Sequence, residues 1–371
     1  MTVWSSYEPG FDLIRRRQML RRKQNDFDSF CCIADRCPDN CCRGWQIVID
    51  DKSLEGYSSY KGEFSQELMA GIDKDNGLFR QKGSSCSMLM DNGLCRLQST
   101  LGEDYLCDTC RLYPRHIEEF PDIREYSLSL SCPEVVRMVF KAGDHLGFTE
   151  TEDKEDDDCD DYGDFDYFLF DKLGFQREQM LALLRRDDIC LEERMDMIAK
   201  AAFKLQAMYD YGDLASMDQI DYNEALEKRK GRRNGYIFSH DYMIESFSLL
   251  MELEEMHPSW REILESTLSY WKCHKDHSDE WRSAMYPKGR RKLICERILE
   301  SLFYTYFCGS IYDGQIYARA MLCIYTLRWV MMIGEADGGP GPEEAIYIFS
   351  REAEHSDNNL NKIIGWFEDE L

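Results

Sequence analysis

Apolar residues recur at steps of three and four through much of the carboxy-terminal half of the chain. Leu191, Met195, Ile198, Ala202 and Leu205 place one apolar stripe along a helix. Tyr242 to Glu254, Trp260 to Trp271, Arg291 to Phe307, Tyr317 to Met332 and Glu343 to Arg351 follow the same period. Pro287, Gly289, Gly309, Gly314 and a turn from Gly338 to Pro342 punctuate them. The pattern predicts a helical domain over residues 167–371. Upstream the period is lost: residues 27–140 are rich in cysteine, glycine and turn-forming side chains, with short apolar runs such as Trp45 to Ile49. A stretch of that kind buries little core for its length, so bound metal is expected to supply much of its folding free energy. The predicted fold class is mainly α, with an irregular cysteine-rich metal-binding module packed on a helical domain.

Two charged segments frame these units. Residues 1–26 read as a basic amino-terminal arm, in which Arg15, Arg16, Arg17, Arg21, Arg22 and Lys23 surround few apolar residues. A secretory signal needs roughly 7–15 apolar residues after its positive end, whereas here Gln24, Asn25, Asp26 and Asp28 follow. The arm is read as solvated, with peripheral association to an acidic membrane surface as the other reading. Residues 141–166 read as a linker, because Glu150, Glu152, Asp153, Glu155, Asp156, Asp157, Asp158, Asp160 and Asp161 repel one another and favour extended chain. The ligand alternation and glycine of a calcium loop are missing there. No stretch is read as approaching the roughly 20 apolar residues of a membrane span.

A formal net charge of −25 over 371 residues disfavours a nucleic-acid partner, whose phosphates need clustered Lys and Arg. A lysine-rich protein partner fits better. Sixteen cysteines without a secretory signal point to a reducing, cytoplasmic setting in which thiols are metal ligands or buried apolar groups. Ten of them lie between Cys31 and Cys132, whereas Cys159, Cys190, Cys273, Cys295, Cys308 and Cys323 are scattered singly. Clustering of that kind favours metal.

The first group runs Cys31, Cys32, Cys37, Pro38, Cys41, Cys42 and Gly44. Thiolates so close in sequence converge on one centre with little loop-closure entropy to overcome. Adjacent cysteines point their sulfurs apart, so Cys41 and Cys42 are expected to reach two irons of one cluster, or two sites. The second group is Cys86 and Cys95 about an Asn92–Gly93 turn, then Cys107, Cys110 and Cys132. The candidate ligands are therefore Cys32, Cys37, Cys41, Cys42, Cys86, Cys95, Cys107, Cys110 and Cys132, with Cys31 the most expendable. This surplus over one tetrahedral site suits a multinuclear cluster or two centres, of iron–sulfur or zinc. Cys273, His274 and His277 lack further converging ligands.

Three strings carry a family likeness: Cys32-Ile-Ala-Asp-Arg-Cys37-Pro-Asp-Asn-Cys41-Cys42-Arg-Gly-Trp45, Leu106-Cys107-Asp-Thr-Cys110-Arg-Leu-Tyr-Pro-Arg115 and Leu128-Ser-Leu-Ser-Cys132-Pro-Glu134. Together they resemble the flagellin lysine-N-methylase family. Phe303 to Gly314 and Ser350 to Leu360 are similar to further family segments, so the likeness runs from Phe27 onward, leaving aside the acidic linker. The resemblance implies a bacterial cytosolic protein-lysine N-methyltransferase that moves methyl groups from S-adenosylmethionine to surface lysines of flagellin before export. It also implies an oxygen-sensitive iron–sulfur cluster of the 4Fe-4S type held by the cysteine motif, with zinc as the alternative metal. The competing reading is a non-catalytic zinc- or iron–sulfur-binding interaction protein. A metallochaperone or electron carrier would need less helical chain.

A lysine amine, with a pKa of about 10.4, must lose its proton before polar methylation. Tyr113, His116 and Glu118 follow the Cys107–Cys110 step and are the catalytic candidates; Arg111 and Arg115 are candidates for the methyl donor's carboxylate, or for neutralising the thiolates or pairing with neighbouring acids. Cys32, Cys37 and Cys41 are separated by four and three residues, unlike the three and two of the common radical motif. No glycine-rich dinucleotide turn occurs, and Gly334 to Gly341 falls between helices.

Overall fold

The computed structural model of the protein describes residues 19–152, 164–223, 239–274, 281 and 287–368. Helices dominate it, as the apolar period predicts. The strands are β1 (Leu20–Gln24), β2 (Ile72–Asp73), β3 (Leu78–Phe79), β4 (Gln81–Lys82), β5 (Ser85–Cys86), β6 (Arg115–Phe120), β7 (Ile123–Leu128) and β8 (Phe148–Glu152). Four of them form one sheet in the order β6-β7-β1-β8, and the others pair as two short hairpins.

That sheet corrects the reading of both charged segments. Leu20–Gln24 is not a solvated arm: it runs inside the sheet, parallel to β7 and antiparallel to β8. The acidic residues supply its partners. Arg22 stands across from Glu150 and its guanidinium lies 3.5 Å from that carboxylate and 2.6 Å from Glu178. Opposite charges facing across a ladder stabilise it, so two segments that each repel internally become neighbours. Arg15, Arg16 and Arg17 lie outside the described residues, as do residues 153–163 of the expected linker.

Between β1 and β6 the chain makes a small lobe of short helices, α1 (Asp51–Ser59), α2 (Ser65–Ala70), α3 (Arg96–Leu101) and α4 (Asp108–Leu112). Asp50 starts α1 by accepting from Ser53 N at 2.9 Å, and its other oxygen accepts from Asp108 N at 2.9 Å. One carboxylate thus caps two helices that are far apart in sequence. Ile47, Ile49, Tyr57, Leu68, Phe79 and Leu97 form a core here, with Cys86 and Cys107 buried among them. Phe27, Phe30, Phe120, Leu128 and Val136 instead join the main helical core. Residues 27–140, expected as one module, are therefore shared between two cores.

The helical region contains α5 (Pro133–Lys141), α6 (Tyr167–Leu184), α7 (Leu191–Asp210), α8 (His240–Leu250), α9 (Trp260–Cys273), α10 (Gly289–Tyr306), α11 (Ser310–Asp313), α12 (Ile316–Glu335), α13 (Pro342–Glu354) and α14 (Asp357–Glu368). At its centre α12 packs against α7, α9, α10, α13 and α14. By length and composition α12 can cross a membrane, against the reading that no stretch approaches a span. Its apolar residues are covered by these neighbours, which accounts for an apolar surface all round. Trp271 donates its indole proton to Met332 O at 2.9 Å and Trp329 donates to Ser246 Oγ at 2.9 Å, so the rings around α12 keep their polar atoms paired.

The sheet joins this region through charge as well as apolar packing. Arg177 of α6 grips Glu125 of β7 with two guanidinium nitrogens, one at 2.6 Å, and both side chains are buried. Removing one member of such a pair leaves a charge stranded in the core. Glu125→Ala is expected to lower the unfolding free energy by about 3–5 kcal/mol in urea titrations, while the double variant Glu125→Leu with Arg177→Met recovers most of that loss.

Candidate metal centre

The nine candidate thiols lie in one region, in two sets. Cys42, Cys86, Cys95, Cys107 and Cys110 belong to the core of the small lobe. Cys86 N donates to Cys42 O at 2.8 Å, which joins the two sequence groups through the backbone. Cys32, Cys37, Cys41 and Cys132 form the second set, in electrostatic contact with one another, with Cys132 buried in the main core. Cys41 connects the sets, because its charge acts on Cys32, Cys37, Cys95, Cys110 and Cys132. Cys31 is exposed.

The adjacent pair does not diverge as expected. The Cys41 thiol is held below its usual value by a hydrogen bond from the Cys42 thiol, against the opposing effect of burial, and Cys42 is pushed up by the same bond and by burial. Cys107 and Cys110 share a proton in the same way, with Cys107 lowered and Cys110 raised. Burial, with smaller contributions from neighbouring cysteine charges, lifts Cys86 to about 11 and Cys132 to about 12. Each hydrogen-bonded pair therefore gives up a first proton readily and a second with difficulty, and a metal cation is the group that makes both leave. Every cysteine among the described residues is a free thiol. Among those residues no three His, Cys, Asp or Glu side chains stand as a preformed metal cage. The fit to a metal centre thus rests on the donor chemistry: soft thiols in number, two pairs of them already sharing protons.

The lobe meets α13 at this second set. Gly44 has φ +87°, and a Cβ there would lie 2.4 Å from Met256 O, so only glycine admits the close approach. Arg351 of α13 reaches across, donating to the Asp39 carboxylate, to Asp39 O at 2.5 Å and to Ser131 O at 3.0 Å. Its charge opposes the burial that raises Cys37 and helps hold Cys41 low. Beside it the Tyr113 hydroxyl lies 3.1 Å from Ser131 Oγ, Ser129 donates to the Glu354 carboxylate, and Tyr306 bonds that carboxylate as well. Burial raises both Tyr113 and Glu354, so each keeps its proton more tightly than in water.

His355 completes this cluster. Its ring stacks on Trp45 with centroids 4.4 Å apart and meets the edge of Tyr113 at 5.9 Å. Neither of its ring nitrogens, both buried, has a hydrogen-bond partner in the structure. Burial, then the Arg351 charge, lowers its pKa to about 3 from 6.5. A depressed histidine contributes stability that is fully present above pH 6.5 and lost as pH falls towards 3. In metal-free protein this contribution is expected to be at most about 5 kcal/mol, and His355→Leu should flatten the fall in denaturation midpoint across that window.

Of the residues singled out from sequence, Tyr113 lies in the cluster. His116 and Glu118 pair at 3.3 Å on β6; burial would lower His116, but its bond to Glu118 and the charge of nearby Glu354 raise it. Arg111 turns outward and pairs with a neighbouring acid, Asp108, one of the roles expected of it. Arg115 lies against aromatic rings, over Phe27 and Phe30 at 5.7 and 5.2 Å. The cation at the thiols is Arg351, which sequence reading missed together with Glu354 and His355. Their signal was present: polar residues at i, i+3 and i+4 on a helix otherwise almost wholly buried. Cys273 is exposed and His274 bonds Tyr270 O at 2.8 Å, while His277 lies outside the described residues.

The segment carrying Arg351, Glu354 and His355 falls inside a matched family domain. A model described as the FliB lysine N-methylase C-terminal domain matches residues 177–371. The chain belongs to the FliB lysine N-methylase family. Among curated relatives of this FliB-family chain, the flagellar biosynthetic protein FliU of Salmonella muenchen is 31% identical over 134 residues, 33% of this chain and 77% of that protein. The lysine-N-methylases of Salmonella typhimurium and Salmonella choleraesuis are each 30% identical over 130 residues, 33% of this chain and 32% of theirs. The match with these two FliB-family methylases thus spans about a third of their length. No solved structure matches the chain.

Proposed function

We propose that this chain is a protein-lysine N-methyltransferase that takes methyl groups from S-adenosylmethionine, acts on flagellin, works in the cytoplasm, and holds an iron–sulfur cluster, with zinc as the alternative metal. The observation that carries the proposal is the buried polar cluster of Tyr113, Arg351, Glu354 and His355 set against the thiols, in a chain of this family. The names of its relatives, lysine-N-methylase and flagellar biosynthetic protein, supply the reaction and the substrate class.

The chain's own residues have two tasks. A lysine ammonium must shed its proton, and the hydrogen-bonded series Tyr113, Ser131, Ser129 and Glu354 is a set of groups able to accept or pass one. Arg351 fixes the Asp39 turn, and with it the sulfurs of Cys37 and Cys41. The residues that would hold the metal are Cys32, Cys37, Cys41, Cys42, Cys86, Cys95, Cys107, Cys110 and Cys132. An iron–sulfur cluster supplies one-electron chemistry or a structural tie when bound.

The test is to incubate anaerobically purified protein with S-adenosylmethionine and flagellin, then weigh the flagellin. Increments of one methyl mass on lysines are expected, and none, with metal content intact, would reject the enzyme. Colourless protein carrying zinc and no labile sulfide, and inert in that assay, would mark an interaction module instead. The net charge of −25 adds a second expectation: methylation of a lysine-bearing substrate should slow several-fold as salt rises from about 50 to 500 mM, because screening removes the attraction. An unchanged rate contradicts electrostatic capture.

A further inference from the structure

We propose that His355 is a nitrogen ligand of the metal centre, so that the centre is held by mixed cysteine and histidine donors rather than by thiolates alone. The inference rests on the metal-binding reading above and goes beyond it, since sequence spacing points only to cysteine.

The imidazole is the observation. A neutral histidine carries one N–H donor and one nitrogen acceptor, and here both atoms are buried and neither finds a partner in the protein. Leaving a buried polar atom without a partner is costly, because its bonds to water are lost and nothing replaces them. Binding a cation through one nitrogen removes one of these two deficits and leaves a single N–H. The ring is also held in place, as a ligand needs to be. Trp45 stacks on one face at 4.4 Å, and Trp45 in turn donates its indole proton to Cys41 O at 2.7 Å. Tyr113 closes the side, and its hydroxyl senses the charges of Cys132 and Cys41. The imidazole is thus packed against Trp45, which bonds the Cys41 backbone, and against Tyr113, which is in electrostatic contact with Cys132 and Cys41.

Other histidines do not share this position. His257 uses Nδ1 to accept from Ser259 N at 3.2 Å, and its Nε2 is 4.0 Å from Asp39. His116 is taken up by Glu118. Arg351 lies beside His355 and is itself bonded to Asp39 and Ser131, so it positions the turn without competing for the metal.

The experiment uses full-length protein purified without oxygen, with iron, zinc and labile sulfide measured first. If iron and sulfide are present, the reduced centre is examined by pulsed electron paramagnetic resonance in protein grown with natural and with ¹⁵N-labelled histidine. A directly bound imidazole nitrogen is expected, its coupling changed by the label, lost in His355→Ala and kept in His257→Ala. If zinc is present, absorption fine structure is expected to show one nitrogen among sulfur neighbours, replaced by sulfur in His355→Cys. A centre with no histidine coupling in the labelled wild-type protein, or a zinc shell of sulfur alone, overturns the inference even if the variant misfolds. Protein with neither metal overturns it together with the metal reading, whereas a metal centre without histidine leaves that reading standing.

Discussion

Stripping the proposed metal from anaerobically purified protein is expected to melt residues 42–110 while the helical core stays folded. The small lobe owns only a short set of buried apolar residues, among them Ile47, Ile49, Tyr57, Leu68, Phe79 and Leu97. Its strands are two residues long and its helices five to nine. Local propensity contributes little in pieces that short. Structural metal contributes on the order of 10 kcal/mol in small domains of this kind. The helical region, with α12 enclosed by five neighbours, has no such dependence. Hydrogen exchange read by mass spectrometry should show Tyr57 to Cys110 losing protection on chelation and the α12 amides keeping theirs. Cys41→Ser and Cys107→Ser should each reproduce the loss, since each breaks one proton-sharing pair. Protection that survives chelation across the lobe would mean that its apolar core suffices alone.

The second large effect is expected from Arg351→Ala. Arg351 and Asp39 are both largely removed from water, at 4% and 14% side-chain exposure. The guanidinium also occupies Asp39 O and Ser131 O, so its loss orphans two carbonyls and a carboxylate together. Breaking a buried pair from one side costs about 3–5 kcal/mol. The consequence should concentrate at the junction: Cys37 and Cys41 lose the cation that favours their thiolates, and metal affinity should fall at least tenfold in competition titrations. Lysine at 351 keeps the charge without the planar fork, and is expected to restore part of the affinity and little of the stability. Equal stability and affinity in the alanine variant would show that the Asp39 turn is held by other contacts.

Much of the helical region could be read from its apolar steps. The stripe beginning at Leu191 became α7 from that residue, and Trp260 opens α9 as the pattern predicts. α6 escaped because Phe168 and Phe175 stand exposed on its outer side, which blurs a one-faced stripe. β1 escaped for an electrostatic reason: Arg21, Arg22 and Lys23 look solvated until Glu150 and Glu178 are brought alongside by chain more than a hundred residues away. At the site, chelating steps such as Cys107 to Cys110 are local and so were visible. The division of thiols into a lobe set and a junction set was not, since it depends on α13 and the Met256 turn arriving from elsewhere. Arg111 and Arg115 drew attention by nearness in sequence, but α4 and β6 turn them to Asp108 and to the Phe27 and Phe30 rings.

The inner position of β1 has a bearing on how the molecule is made. During synthesis Leu20–Gln24 emerges about a hundred residues ahead of β7, its parallel neighbour, and further ahead of β8. Tyr304, whose hydroxyl bonds Arg22 O at 3.0 Å, and Arg297, 2.5 Å from Asp26, come later still. The nascent strand therefore waits unpaired while the whole thiol-bearing lobe is translated, and such distant pairings close slowly. Through that interval the junction thiols stay open, and they are covered only when α13, which follows Arg297 and Tyr304 in the chain, arrives.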